Sequence, residues 1–267
     1  MWDSSNKSTP NDPTQCFTSR VTDYVRYRPG YPTALLDVLQ QHCQLSPQTV
    51  IADVGSGTGK LTRLFLDHGN TVYGVEPNAA MRHTALQQLA AYSQFHSQSG
   101  RAEATGLPTA SVSMVVAGQA FHWFDPIKTR QEFQRILLPQ GWVVLVWNNR
   151  DLTDAFQQAY EGLLREQAPD YGNVRHRRRI ALEHIQQFYG PYIPQSITLT
   201  YRQPLDWTGL WGRLMSCSYA PPANHPNHRP LHDALAETFE AHQQQGVIQF
   251  VYQTQVYFGL LPDLTPG

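Results

Sequence analysis

A short apolar run followed by closely spaced glycines is the feature that most limits what this chain can fold into. The run is TVIADV, and glycines follow it at positions 55, 57 and 59, before the amphipathic stretch KLTRLFLDHG. Glycine adopts a positive φ angle without strain, and the first turn of a following helix offers unpaired N–H groups to a ligand. The pattern therefore predicts a buried strand, a ligand-binding turn and a helix that ends at Gly69.

Strands and helices continue to alternate up to residue 150. Further strands are predicted in NTVYGVE, QFHSQSG, SVSMVVAGQ and WVVLVWNN, and helices in NAAMRHTALQQLAAY (with Pro77 near its start) and TRQEFQRILLPQG. This alternation is typical of a parallel, doubly wound α/β sheet. After residue 150, SITLTYRQPL and GVIQFVYQTQVYFGLL alternate like strands and are expected to join the same sheet. The predicted fold is thus an α/β, Rossmann-like sheet of seven strands.

Composition and charge exclude several functional classes. The formal net charge is −1, so we expect no nucleic-acid partner, and VRHRRR, the only basic run, is interpreted as a solvated helix face. No apolar run is long enough to span a membrane, and the first fifteen residues lack the order of a signal peptide. Three distant cysteines argue against disulfides and zinc, and the histidines at 225, 228 and 232 lack a companion carboxylate motif. We expect a cytoplasmic protein without a metal.

Two acidic residues lie where the first two predicted strands end. Glu76 follows Gly55 by 21 residues, where a carboxylate can accept hydrogen bonds from both hydroxyls of a ribose. Asp53 precedes the turn and would suit an ammonium group while repelling a phosphate. Lys60 occupies the third-glycine position of the dehydrogenase pattern, so the spacing favours an adenosine ligand without a pyrophosphate. An NAD-dependent oxidoreductase remains a disfavoured alternative, since no Tyr-x-x-x-Lys pair follows the fourth strand.

In VIADVGSGTGK, VYGVEPN, GRAEATGLP, VVAGQAFHWF and RILLPQGWVVLVW, the chain resembles the class I S-adenosylmethionine-dependent methyltransferases. The resemblance implies a methyltransferase sheet, S-adenosylmethionine as cofactor and S-adenosylhomocysteine as product. The residues that it implies as cofactor-binding are Asp53, Gly55, Ser56, Gly57, Thr58, Gly59, Glu76, Pro77, Ala102, Glu103, Gln119 and Ala120. Arg101 stands where many members carry an aspartate that accepts from adenine, so recognition of adenine would fall to Glu103 or the backbone.

RYRPGYP and VYQTQVYFGL look like the small-molecule branch of the family, which includes trans-aconitate-type methyltransferases. The predicted acceptor pocket contains Tyr24, Tyr27, Arg28, Phe121, Trp123, Asn148, Ser218 and Tyr219. In relatives the N-terminal segment folds over the cofactor pocket as a lid, in which Arg28 could hold a carboxylate of the substrate or cofactor as a fork donor. The alternative is a docking segment whose tyrosines merely pack. His122 is the candidate catalytic base, with a role as a wall of the pocket as the alternative.

The predicted organisation is one domain preceded by a tail. Its parts are a disordered tail at 1–15, a lid segment and helix at 16–44, a cofactor-binding core at 45–150, a helical cap inserted after strand five at 151–195, and late strands with acceptor-pocket elements at 196–267. The predicted activity is in-line transfer of a methyl group to a carboxylate, hydroxyl or amine of a small molecule, by a monomer or homodimer. A non-catalytic protein that binds S-adenosylmethionine or S-adenosylhomocysteine is the alternative from another class.

Overall fold

Seven strands form the centre of the computed structural model, which describes residues 26–172 and 183–261. The strands are β1 (Val50–Val54), β2 (Thr71–Val75), β3 (Phe95–Gln98), β4 (Val112–Gly118), β5 (Leu137–Arg150), β6 (Gln195–Leu205) and β7 (Ile248–Leu260). They make one sheet in the order β3-β2-β1-β4-β5-β7-β6, in which β7 pairs antiparallel with both of its neighbours. The predicted seven-stranded α/β fold is confirmed.

Helices cover the sheet and its carboxyl edge. They are α1 (Ala34–Cys43), α2 (Lys60–Asp67), α3 (Ala79–Gln88), α4 (Pro126–Ile136), α5 (Ala155–Gln167), α6 (Trp207–Met215) and α7 (His228–His242), with a 3-10 turn at Phe121–Trp123 and a helical stretch at 183–189. The carboxylates of Asp125, Asp154 and Asp206 cap the amino ends of α4, α5 and α6. None of the helices in the described ranges has the length and apolarity needed to cross a membrane.

The sheet is packed on both faces. On one face, Leu39 of α1 and Phe65 of α2 are buried against Ile51 and Met114 of the sheet. On the other, Phe133 of α4 belongs to a second buried cluster with strand residues. Because both faces of the sheet are buried, the central strands are nearly continuous apolar runs.

A third buried cluster lies beyond the carboxyl end of β5. Phe156 of α5, Leu210 of α6 and Leu235 of α7 pack there against Phe250 of β7. Because Arg150, the last residue of β5, pairs with Tyr252, these helices stand over the edge at which the parallel strands end. They cover the region in which an α/β sheet binds its ligands.

A helical cap was predicted over 151–195, but its last helical part, residues 183–189, packs against the sheet instead. Phe188 packs edge-on against Phe121 and Phe133, and Tyr189 donates a hydrogen bond from its hydroxyl to the carbonyl oxygen of Val143 at 3.1 Å. These residues belong to the apolar cover of the sheet. The predicted tail and the VRHRRR run lie outside the described residues.

Two predicted helix boundaries also differ. The helix expected in TRQEFQRILLPQG ends at Ile136, because Leu137 pairs with Val112 as the start of β5 and Pro139 cannot continue a helix. The helix expected to begin near Pro77 is capped by Asn78, whose side chain accepts a hydrogen bond from the amide of Met81 at 3.0 Å.

Candidate active site

Two adjoining cavities lie at the carboxyl ends of β1, β2 and β4. The first has a volume of about 220 Å³ and the second about 190 Å³. Their shared wall consists of Gly55, Gly57, Gly118, Gln119 and Trp123. Since the strand order reverses between β1 and β4, the two cavities form one groove at the point where α/β sheets bind ligands.

The three glycines of the turn all have positive φ but serve different purposes. At Gly55 (φ 73°) an added Cβ would lie 2.5 Å from the Cβ of Ala120, and at Gly59 (φ 84°) it would lie 2.6 Å from Cδ1 of Leu89. At Gly57 (φ 57°) it would meet nothing within 4 Å. Gly55 and Gly59 are therefore needed for close packing, whereas Gly57 faces the open groove. Gly59 lines neither cavity and instead caps α2.

Glu76 lines the second cavity and is held by backbone amides. Its Oε2 accepts from the amide of Gly57 at 3.0 Å, and its Oε1 accepts from the amide of Asn78 at 2.8 Å. Burial raises the pKa of this carboxyl, and the two amide bonds oppose that shift. A carboxylate has about four lone-pair sites, so each oxygen keeps one for a ligand in the cavity.

Asp53 lines the first cavity and is 1% exposed. The hydroxyl of Thr62 donates to its Oδ2 at 2.6 Å, while no described residue donates to the buried Oδ1. Burial raises the pKa of this carboxyl to about 7, against the lowering effect of Thr62. A buried carboxylate oxygen without a donor is costly, so this position suits a ligand that brings a cation or an N–H group.

The other predicted cofactor residues divide between the two cavities. Ser56 and Thr58 line the first cavity, and Pro77, Ala102, Glu103 and Ala120 line the second, with Gln119 in both. The Oε1 of Glu103 already accepts from the amide of Asp125 at 2.9 Å. Arg101 also lines the second cavity, and its backbone pairs with Ala104.

Gln119 has an unusual backbone for its residue type. Its φ is 58°, its amide donates to the carbonyl of Val146 at 2.9 Å, and its side chain donates to the carbonyl of Asn148 at 3.2 Å. A left-handed conformation in a non-glycine residue is uncommon and clusters at functional sites. Here it turns the chain from the end of β4 into the 3-10 helix that carries His122.

Two residues predicted for the acceptor pocket are placed elsewhere. Phe121 is fully buried and packs edge-on against Trp147 and Phe188, so it belongs to the core of the sheet. The ring of Tyr27 lies against Gly212 of α6, where any Cβ would collide with it at 2.2 Å. Both predictions are wrong as pocket assignments, because these rings fill packing space. Tyr24 lies outside the described residues.

The remaining acceptor residues meet in the first cavity. Arg28, His122, Trp123, Asn148, Ser218 and Tyr219 all line it. The ring of His122 lies 5.1 Å from that of Trp123. The amide of Asn148 donates to the carbonyl of Gly30 at 2.9 Å and accepts from the hydroxyl of Thr254 at 2.7 Å, which fastens the N-terminal segment over the sheet.

Several lining residues were not among those predicted for the site. In the first cavity these are Tyr31, Lys60, Trp147, Arg150, Arg213 and Tyr252, and in the second Asn78, Met81 and Phe124. A signal was available for Arg213, because it is a lone charge in the otherwise apolar helix WTGLWGRLM. Burial and the charge of Arg28 lower the pKa of Lys60 to about 8.

The comparisons with known proteins agree with this geometry. The family described as "Methyltransferase domain" matches residues 52–145. An uncharacterized methyltransferase of Mycobacterium tuberculosis is 39% identical over 136 residues, which cover 51% of this chain and 53% of that protein. An uncharacterized methyltransferase-like protein of Schizosaccharomyces pombe is 30% identical over 159 residues, covering 58% of this chain and 61% of that protein. The chain thus spans little more than half the length of these relatives.

A solved structure from Anaeromyxobacter dehalogenans, described as a type II methyltransferase, is similar in fold. It has a TM-score of 0.66 at 22% identity, and the match covers 88% of this chain and 98% of that one. The family match to the core, the methyltransferase relatives and the shared fold agree with the turn and the acidic residues of the groove. Residues 52–145 therefore match the family described as a methyltransferase domain, and the fold around them is similar to that of a solved methyltransferase.

Proposed function

We propose that this chain transfers the methyl group of S-adenosylmethionine to a small organic acceptor by in-line displacement. The observation that carries the proposal is the groove with two compartments that meet at Gly118, Gln119 and Trp123. One compartment carries the carboxylate of Glu76 and the other that of Asp53. A long cofactor with a hydroxyl-bearing sugar and an ammonium group matches this placement of acceptors.

The residues present fit the two polar ends of that cofactor. The lone pairs of Glu76 that its amide partners leave open would accept from the ribose hydroxyls. The buried Oδ1 of Asp53 would accept from the ammonium group. Gly57 leaves room for the cofactor beside the turn, since no atom lies within 4 Å of the position of a Cβ. When bound, the cofactor supplies an electrophilic methyl group on a positively charged sulfur.

The chain contributes enclosure and alignment. Three hydrogen bonds hold residues 27–30 over the first cavity: Asn148 to the carbonyl of Gly30, Gln203 to the carbonyl of Tyr27 at 3.1 Å, and Arg28 to the carbonyl of Ser216 at 3.2 Å. Methyl transfer relieves the sulfonium charge, so a dry pocket that keeps nucleophile and methyl carbon collinear can supply much of the rate.

We propose that His122 acts as a wall of the acceptor pocket unless the acceptor atom is protonated at working pH. A phenol or an amine would need a base, and His122 is in position to serve, whereas a carboxylate would need none. The size of the first cavity, about 220 Å³, favours an acceptor of metabolite size. We also place the protein in the cytoplasm, because Cys43 and Cys217 are buried thiols suited to a reducing compartment.

Calorimetry with S-adenosylhomocysteine tests the proposal first. We expect binding well below about millimolar, and weaker binding for Asp53→Asn and Glu76→Gln, with NAD as the negative control. Transfer of a tritium-labelled methyl group to a metabolite extract, followed by product masses, then identifies the acceptor. Binding of NAD in preference to S-adenosylhomocysteine would overturn the proposal, and tight binding without transfer to any acceptor pool would favour a regulatory binding protein.

A further inference from the structure

Two histidines lie one turn apart at the start of α7, where that helix packs on α6. His228 is the first residue of α7 and His232 follows it at the i+4 position, so their side chains share one face of the helix. Neither histidine lines the groove. We propose that this pair binds a divalent transition-metal ion of the kind that prefers imidazole, namely Cu²⁺, Ni²⁺ or Zn²⁺. The site does not depend on the proposed methyl transfer.

The hydrogen bonds of the two rings leave the same nitrogen for a ligand. The Nδ1 of His228 lies 3.0 Å from the carbonyl oxygen of Pro221, and the Nδ1 of His232 lies 3.0 Å from Oδ1 of Asp233. Because carbonyl and carboxylate oxygens only accept, each Nδ1 carries the proton and each Nε2 of the neutral ring keeps its lone pair. No described residue forms a hydrogen bond with either Nε2. Histidines that bind a metal show this arrangement, in which the second ring nitrogen donates to a carboxylate or a carbonyl.

Packing on α6 holds both rings against the same indole. The ring centre of Trp211 lies 5.3 Å from that of His228 and 4.9 Å from that of His232, with angles of 77° and 80° between the ring planes. The ring of His232 also lies 5.2 Å from that of Trp207. The side chain of His232 is nevertheless 42% exposed, so an ion can reach it from the solvent. Side chains that are already held in place lose little freedom on binding, which favours affinity.

His225 is close in sequence but has the other tautomer. Its Nδ1 accepts a hydrogen bond from the amide of Asn227 at 3.0 Å, so the proton of the neutral ring is on Nε2. Both nitrogens of this ring are therefore unsuited to a metal ion, since one is engaged and the other is protonated. The proposed site is the pair on α7, and it does not include the third histidine of this segment.

Two imidazoles supply only part of a coordination shell, and water would complete it. Within the described ranges, no group of three or more histidine, cysteine, aspartate or glutamate side chains could hold a metal ion. Asp233 orients His232 and is not itself a ligand, because its Oδ2 lies 3.7 Å from Nε of Arg229. The expectation of a protein without a metal depended on the missing carboxylate motif, whereas here the carboxylate holds a histidine in place. Nitrogen ligands favour Cu²⁺, Ni²⁺ and Zn²⁺ over Mg²⁺ and Ca²⁺, which take oxygen ligands.

Titration of the full wild-type chain with metal chlorides tests the site first. Bound Cu²⁺ and Ni²⁺ quench the emission of a nearby indole, so tryptophan fluorescence should fall as either ion is added, with calorimetry in parallel. We expect Cu²⁺ to bind more tightly than Ni²⁺ or Zn²⁺, and Mg²⁺ and Ca²⁺ to cause neither heat nor quenching. Absence of binding by all three transition metals, or binding of Mg²⁺ as tight as that of Cu²⁺, would overturn the site.

Variants of the two histidines identify the ligands. His228→Ala and His232→Ala should each weaken Ni²⁺ binding by about tenfold or more, because loss of a ligand costs at least as much as loss of the partner that orients it. His83→Ala is the matched control, since that histidine is exposed on α3 and its Nε2 already pairs with Nε2 of Gln87 at 3.0 Å. Unchanged Ni²⁺ affinity in both α7 variants would refute the assignment.

Trp211→Phe shows where the ion binds. This variant keeps both histidines, so its affinity for Ni²⁺ should stay close to that of the wild type while the quenched part of the emission becomes smaller. Undiminished quenching would place the ion beside another tryptophan, such as Trp123 next to His122, and would contradict the site. The wild-type titration needs no variant, so it can refute the proposal even if a variant does not fold. Binding of S-adenosylhomocysteine is a separate measurement, so this proposal and the proposed function fail independently.

Discussion

Replacing Gly55 or Gly57 of the turn by alanine distinguishes a glycine that is needed for packing from one that is needed for ligand binding. Gly55 and Gly57 share a left-handed backbone, with φ of 73° and 57°, but only at Gly55 would the new methyl group meet a neighbour, the Cβ of Ala120 at 2.5 Å. The two substitutions therefore share the backbone penalty and differ in the steric one.

The magnitudes follow from these two terms. A left-handed conformation costs an alanine about 1–2 kcal/mol, and the loss of flexibility in the unfolded chain returns about 0.4–1 kcal/mol. Gly57→Ala should therefore lower the free energy of unfolding by about 1 kcal/mol. Gly55→Ala adds a steric penalty of about 1–3 kcal/mol, because overpacking displaces the backbone next to Ala120.

The affinity for S-adenosylhomocysteine should fall more in Gly57→Ala than in Gly55→Ala, which is the opposite of the order expected for stability. At Gly57 the methyl group points into the groove, so the same penalty falls on the complex, and binding should weaken about tenfold to a hundredfold. Urea unfolding followed by circular dichroism gives the stabilities, and calorimetry gives the affinities. Gly162→Ala is the control, since the added Cβ lies in open space on α5, where alanine should stabilise the helix by about 1 kcal/mol.

Equal destabilisation by Gly55→Ala and Gly57→Ala would show that a side chain at position 55 meets no more steric hindrance than one at position 57. Unchanged affinity in Gly57→Ala would show that the cofactor does not pass beside this residue, and the groove would need another occupant.

Four further substitutions test the neighbouring side chains. Burial raises the pKa of Asp53 from 3.8 to about 7, so the native state binds more protons than the unfolded state between these pH values. The free energy of unfolding should therefore fall as pH rises from about 4 to 7, by up to about 4 kcal/mol. Asp53→Asn should flatten that slope in urea titrations at several pH values. Phe121→Ala should cost about 3–5 kcal/mol of stability. Trp123→Ala should cost less stability but weaken S-adenosylhomocysteine binding. A larger loss of stability in Trp123→Ala than in Phe121→Ala would contradict the placement of these two rings. His122→Ala should raise the KM for the acceptor more than it lowers kcat, while a loss of about a hundredfold or more in kcat at unchanged cofactor affinity would make it the base.

The alternation of strands and helices was sufficient to predict the sheet, because the strands up to residue 150, except the polar β3, contain apolar runs bounded by glycine, proline or polar residues. The turn residues and Glu76 could be placed for the same reason: they follow directly on strands, and the carboxyl ends of parallel strands meet at one edge. Local sequence therefore fixed the half of the groove that a cofactor would occupy.

The acceptor half depends on contacts between distant segments, which local patterns do not determine. Phe121 and Trp123 are two residues apart in one aromatic run, yet the 3-10 turn buries the first and leaves the second at the junction of the cavities. Tyr27 was assigned to the pocket as part of an aromatic segment, but its ring fills the space above Gly212. Only the packing of α6 on that segment decides which ring faces the cavity.

The two ends of the first cavity come from different parts of the chain. Asp53 lies near the end of β1 and Glu76 directly follows β2, both inside the residues 52–145 that match the family, while Arg213 comes from a helix outside that range. Arg150 also lies beyond that range, at the end of β5. Substitutions in α6 are therefore expected to change the acceptor end of the cavity without disturbing the carboxylates that are proposed to hold the cofactor. Arg213→Gln should lower turnover of the acceptor while the calorimetric profile of S-adenosylhomocysteine stays the same, and a change in both would show that the two halves of the groove are coupled through Trp123 or Gln119.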